Sequence, residues 1–169
     1  MLGARLQNNE RLQPGFPGFE LSSPLYYTTV FTLFRASSIY LPSQRALLAH
    51  GEDGLDEISP VTRTRFALLW DGELSEGILS PTGFGLEPVS EAAIQPGETA
   101  EENAELLRLA VTEVNTERCT AILPSAACAI WIAGLAPERR SATELAREVV
   151  KSGAAREKLE EFVRESNAL

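Results

Sequence analysis

Arg45-Ala46-Leu47-Leu48-Ala49-His50 runs directly into Gly51-Glu52-Asp53-Gly54-Leu55-Asp56-Glu57-Ile58-Ser59. The apolar run Ala46–Ala49 reads as a buried strand, taken here as Arg45–Ala49. The nine residues from Gly51 hold four carboxylates and two glycines. Open α/β sheets place ligands beyond the carboxyl ends of their strands, so a glycine-rich acidic loop at this point is a candidate site. Clustered carboxylates suit a hard cation such as Mg2+. On composition alone the same loop reads as a solvated acidic turn.

The order of elements around this stretch suggests the fold. Arg65–Trp70 and Glu73–Leu79 flank Asp71-Gly72, a strong hairpin signal because a two-residue type I′ turn needs positive φ at both positions. Ser80–Glu98 is loop-like, with Pro81, Gly83, Gly85, Pro88, Pro96 and Gly97. Thr99 with Glu102 forms a capping box, and Leu106, Leu107, Ala110, Val111 and Val114 give the following helix an apolar stripe. Cys119–Leu123 reads as a second buried strand. Ser125–Leu135, almost uncharged, reads as a helix buried all round. Ser141 with Glu144 is a second capping box, opening a helix that ends near Ser152-Gly153. Ala154–Glu165 is a final amphipathic helix. Two buried strands with a helix between them predict that Arg45–Ala49 and Cys119–Leu123 pair in parallel, since a right-handed crossover joins such strands. Residues 1–24 show no period and are expected to pack poorly. Residues 25–40 are compatible with a strand or a buried helix.

Composition narrows the function. The chain has 169 residues, is 44% hydrophobic and carries a net charge of −9. Residues 1–49 hold four Arg against two Glu; residues 50–169 hold eleven Lys and Arg against twenty-two Asp and Glu. An acidic body argues against nucleic-acid and anionic-membrane partners. No apolar run approaches the roughly 20 residues of a membrane span. Cys119 and Cys128 lack metal-type spacing and read as buried free thiols, which suits a reducing, cytoplasmic compartment.

Several segments, in order, carry a family resemblance. They are Ala49-His50-Gly51 leading into Asp53-Gly54-Leu55-Asp56-Glu57-Ile58-Ser59, then Asp71-Gly72-Glu73, and Ser80-Pro81-Thr82-Gly83-Phe84-Gly85-Leu86. Gly97-Glu98 with Glu102-Asn103-Ala104 follows, then Ala126-Ala127-Cys128-Ala129 leading to Ala133-Gly134. Ala146-Arg147-Glu148 through Ser152-Gly153-Ala154-Ala155 with Leu159 closes the series. Together they resemble the C-terminal part of anthranilate phosphoribosyltransferase over residues 45–169, leaving residues 1–44 as an irregular segment without a match. The resemblance implies a partial α/β domain of the nucleoside phosphorylase and phosphoribosyltransferase type, with a few parallel strands, a β-hairpin and packing helices. It also implies transfer of a phosphoribosyl group from 5-phosphoribosyl 1-diphosphate to anthranilate, with release of pyrophosphate. Mg2+ accompanies the diphosphate, and the Asp-Glu pair that helps hold it maps onto Asp56 and Glu57.

The departures matter equally. The family's Gly-Thr-Gly-Gly-Asp string, its Lys-His-Gly-Asn segment and the arginine that meets anthranilate have no counterpart here, and Pro124-Ser125 stands where Asn-Ala is usual. No catalytic residue and no organic-cofactor site is therefore assigned. Glu52 and Asp53 read as solvated loop charges, and His50 as a structural residue. Trp70 and Trp131 read as packing groups, and Arg139-Arg140 as a solvated pair. Two functions fit: a phosphoribosyltransferase chain that is truncated, begun at a misplaced start or completed by a second chain supplying the N-terminal half, with a homodimer as the other partner expected, or a non-catalytic remnant of that scaffold acting in packing or interaction.

Overall fold

The computed structural model describes residues 45–168. Both expectations for residues 1–24 and 25–40 lie outside the described residues. Strands β1 (Arg45–Gly51), β2 (Thr64–Trp70) and β3 (Glu73–Leu79) form a sheet in the order β1-β2-β3. Both pairings are antiparallel, with Arg45 opposite Trp70 and Trp70 opposite Glu73. The β2–β3 turn is the expected one: Asp71 has φ 50° and Gly72 φ 88°. Gly77 lies opposite Phe66, where a Cβ would sit 2.8 Å from the aromatic ring, so only glycine lets that ring lie across the sheet.

The α/β character holds, but the parallel pair does not. Arg45–Ala49 belongs to a strand, yet β1 pairs with β2 and runs antiparallel to it. Cys119–Leu123 is no strand at all; it lies inside helix α2 (Glu117–Ile132). The reason is local. The Thr116 hydroxyl accepts the Cys119 N–H at 3.1 Å, which caps a helix N-terminus just before the apolar run. Cys119, Leu123, Ala127 and Cys128 then fall on one buried helical stripe. Pro124, buried in mid-helix, removes one backbone donor without ending the helix.

The remaining helices are α1 (Ala100–Ala110), α3 (Arg139–Lys151) and α4 (Ala154–Asn167). The Thr99–Glu102 capping box is formed: Thr99 Oγ1 accepts the Glu102 N–H at 3.1 Å, and Glu102 Oε2 accepts the Thr99 N–H at 3.3 Å. Asn103 donates to the carbonyls of Gly97 and Thr99 and accepts the Gly97 N–H, so Gly97 and Asn103 close one clasp. The second capping box is displaced by one turn. α3 begins after Glu138, and Ser141 sits at its third position, where its Oγ accepts the Glu138 N–H at 3.4 Å. The stretch Ser80–Glu98 contains two short 3-10 turns, Pro81–Phe84 and Glu91–Ile94. Gly153, at φ 85°, separates α3 from α4.

The core sits between one face of the sheet and helices α2 and α3. Ile58, Leu79, Phe84, Leu123, Ala127, Ala142 and Ala146 are buried together, with Leu47, Ala49, Phe66 and Trp131 packed against them. Small residues at 127, 142 and 146 let the two helices approach closely. Helix α2 is not buried all round: Ala129 is exposed, and Leu135 beyond its end is 70% exposed. Trp70 and Trp131 stack with ring centroids 5.1 Å apart, joining sheet to helix. Arg45 lies over Trp70 and Arg139 over Trp131, so Arg139 is a packed cation rather than a solvated one.

Candidate functional site

The acidic loop leaves β1 at Gly51 and returns to β2 at Thr64. Its backbone closes on itself: the Gly51 N–H donates to the Leu55 carbonyl at 2.8 Å, Gly54 N–H to Gly51, and Glu52 N–H to Arg63. Gly54 has φ 92°, the left-handed conformation that a glycine adopts without strain. Below the loop, Ser59 and Thr64 are buried, and the Ser59 N–H donates to Thr64 Oγ1 at 2.8 Å.

The four carboxylates divide into two pairs. Glu52 is bound by Arg63 Nε at 2.9 Å and approached by Arg65 at 3.7 Å. Asp53 Oδ2 accepts the Ser59 hydroxyl at 2.6 Å, and its Oδ1 accepts the Leu55 N–H at 3.3 Å. Both are exposed, as the sequence led one to expect of solvated loop charges, and both also hold the loop. Their partners lie across the turn, where residue spacing gave no cue.

Asp56 and Glu57 are both exposed. Among the described residues neither belongs to an ion pair. Glu57 Oε2 accepts one long bond from Ser125 Oγ, 3.4 Å, which links the loop to α2. The Pro124-Ser125 departure thus lies beside the candidate site rather than away from it. A cleft of about 530 Å3 opens on the Glu57 side, lined by Ile58, Leu106, Arg118, Ile122 and Ser125 among others. Two carboxylates adjacent in sequence, exposed and outside any ion pair among the described residues, are a donor set that fits a hydrated Mg2+, which needs only one or two protein carboxylates. Among the described residues no group of three or more His, Cys, Asp and Glu converges, so further ligands would be water or substrate oxygens.

His50, Cys119 and Cys128 lie in β1 and α2, outside the loop itself. His50 lies in β1 opposite Arg65. Both cysteines are free and buried. Burial raises the Cys119 thiol, with Arg147 opposing, and pushes Cys128 up to about 11, with Arg139 opposing. Neither is a ready nucleophile. No helix among the described residues is long and apolar enough to cross a membrane.

The chain is similar to known proteins over most of its length. An anthranilate phosphoribosyltransferase from Myxococcus xanthus is 42% identical over 124 residues, covering 73% of this chain and 36% of that protein. The crystal structure of the Thermus thermophilus enzyme of that name superposes with a TM-score of 0.66 at 28% identity, covering 84% of this chain and 40% of its own. The Saccharomyces cerevisiae enzyme in complex with PRPP and Mg gives 0.67 at 25% identity, over 80% of this chain and 39% of its own. The chain therefore spans well under half the length of these relatives. A family profile described as "Glycosyl transferase family, a/b domain" matches residues 29–156, starting ahead of the boundary at residue 45 that the motifs suggest. With most of its length inside that match, the chain belongs to the glycosyl transferase family through its a/b domain.

Proposed function

We propose that this chain supplies the cation-holding, C-terminal part of a phosphoribosyltransferase that joins the phosphoribosyl group of 5-phosphoribosyl 1-diphosphate to anthranilate and releases pyrophosphate, a step of tryptophan biosynthesis. The observation that carries the reading is the division of labour in the acidic loop. Glu52 and Asp53 fasten it, while Asp56 and Glu57 stay free on a chain 42% identical to an anthranilate phosphoribosyltransferase.

Asp56 and Glu57 would hold Mg2+ through carboxylate oxygens, with diphosphate oxygens and water completing the shell. Bound there, the ion offsets the charge that develops on the leaving pyrophosphate. The chain's own residues keep that pair in place: Asp53 and Ser59 hold the loop, and Ser125 restrains Glu57. Segments that orient the phosphates and the anthranilate amine would come from the rest of the relatives' length, as a complementing half. Residues 45–169 form the family part of the chain in this reading, and the cytoplasm is its compartment.

The test is a steady-state assay with 5-phosphoribosyl 1-diphosphate, anthranilate and Mg2+. Orienting both substrates contributes about 7–11 kcal/mol to such reactions, so the chain alone should show no turnover. Adding the N-terminal portion of the Myxococcus relative should restore it. Turnover by the chain alone that survives Asp56→Asn would contradict the reading. A folded mixture without turnover would instead favour a non-catalytic scaffold.

A further inference from the structure

The exposed Asp53 carboxylate lies against the backbone at Gly51. A Cβ on Gly51 would fall 2.3 Å from Asp53 Oδ1, so glycine at 51 is what leaves room for the carboxylate. The Ser59 hydroxyl donates to Asp53 and accepts the N–H groups of Val61 and Thr62 at 3.1 and 2.9 Å, which uses its donor and both lone pairs. Asp53 Oδ1 also receives the Leu55 N–H, one residue before Asp56. The clasp therefore spans both ends of the segment that carries the free pair.

We propose that Asp53 is the positioning residue of this loop: clasped by Ser59 and seated against Gly51, it presents Asp56 and Glu57 outward as a preset pair for a divalent cation. The proposal rests on the reading of Asp56 and Glu57 as the cation-holding residues. It assigns Asp53 a role through shape rather than as a ligand. A loop already ordered loses less conformational freedom on binding, so affinity should fall when the clasp is opened.

Mn2+ alone, titrated into the full chain, tests this through paramagnetic broadening of the Asp56 and Glu57 backbone amides. Amide shifts of the helices report that each variant is folded. Asp53→Ala should raise the Mn2+ concentration for half-broadening at least tenfold. Gly51→Ala, which displaces the Asp53 carboxylate without removing it, should do the same. Ser59→Ala removes the hydroxyl that Asp53 Oδ2 accepts while leaving the Asp53 charge, and should also raise that concentration at least tenfold. If Asp53→Ala weakens binding while Ser59→Ala binds as the unsubstituted chain does, the carboxylate acts by charge or ligation and the proposal fails. It also fails if Asp53→Ala and Gly51→Ala both bind as the unsubstituted chain does. Absence of broadening in the unsubstituted chain, or broadening that persists in Asp56→Asn/Glu57→Gln, overturns the underlying reading and the proposal together.

Discussion

Cys128 shows how one residue ties the core to pH. Its thiol lies among buried apolar side chains, and burial raises its pKa from 9.0 to about 11. The unfolded chain releases that proton near 9 while the folded chain holds it to about 11. The folded state therefore binds more protons across this window, and stability falls as pH rises through it. Denaturant titrations at pH 8 and 11 should show a loss on the order of 2 kcal/mol that Cys128→Ala removes, once the cavity cost common to both pH values is subtracted. An unchanged pH dependence in Cys128→Ala would show that the thiol is not the responsible group. The burial of Cys128 was legible from its apolar neighbours. The roles of Glu52 and Asp53 were not, because Arg63 and Ser59 become their partners only after the loop closes.

At the scale of elements, local chemistry was readable and long-range pairing was not. The Asp71-Gly72 turn and the Thr99–Glu102 box depend on residues at most three apart, and both formed as expected. Cys119–Leu123 reads as a strand from sequence because five residues, apolar but for Thr120, carry no period that separates strand from helix. The deciding residue was Thr116, whose hydroxyl caps α2. With Cys119–Leu123 helical, the parallel pair lost one of its strands, and β1 found β2 instead. Thr116→Ala should lower stability by about 1 kcal/mol, the usual worth of such a cap, read as a lower urea midpoint at constant m-value. A midpoint within error of the unsubstituted chain would assign the start of α2 to packing alone.

At the scale of the molecule, the described residues form a three-stranded meander and four helices that hold an acidic loop whose outer carboxylates lie outside any ion pair. The family was legible because its motifs coincide with structural necessities. Gly97 and Asn103 close the entry to α1, and Gly85, at φ 75°, caps the Pro81–Phe84 turn. The reaction is less legible, since the chain covers only 36% of the Myxococcus relative and 40% of the Thermus one. A chimera brings the two parts together most directly: the N-terminal portion of the Myxococcus relative joined to residues 45–168 of this chain. Its pyrophosphate release should require anthranilate and Mg2+, and Asp56→Asn/Glu57→Gln should lower it by about a hundredfold or more. A folded chimera with no turnover, or turnover that this double substitution leaves unchanged, would contradict the account.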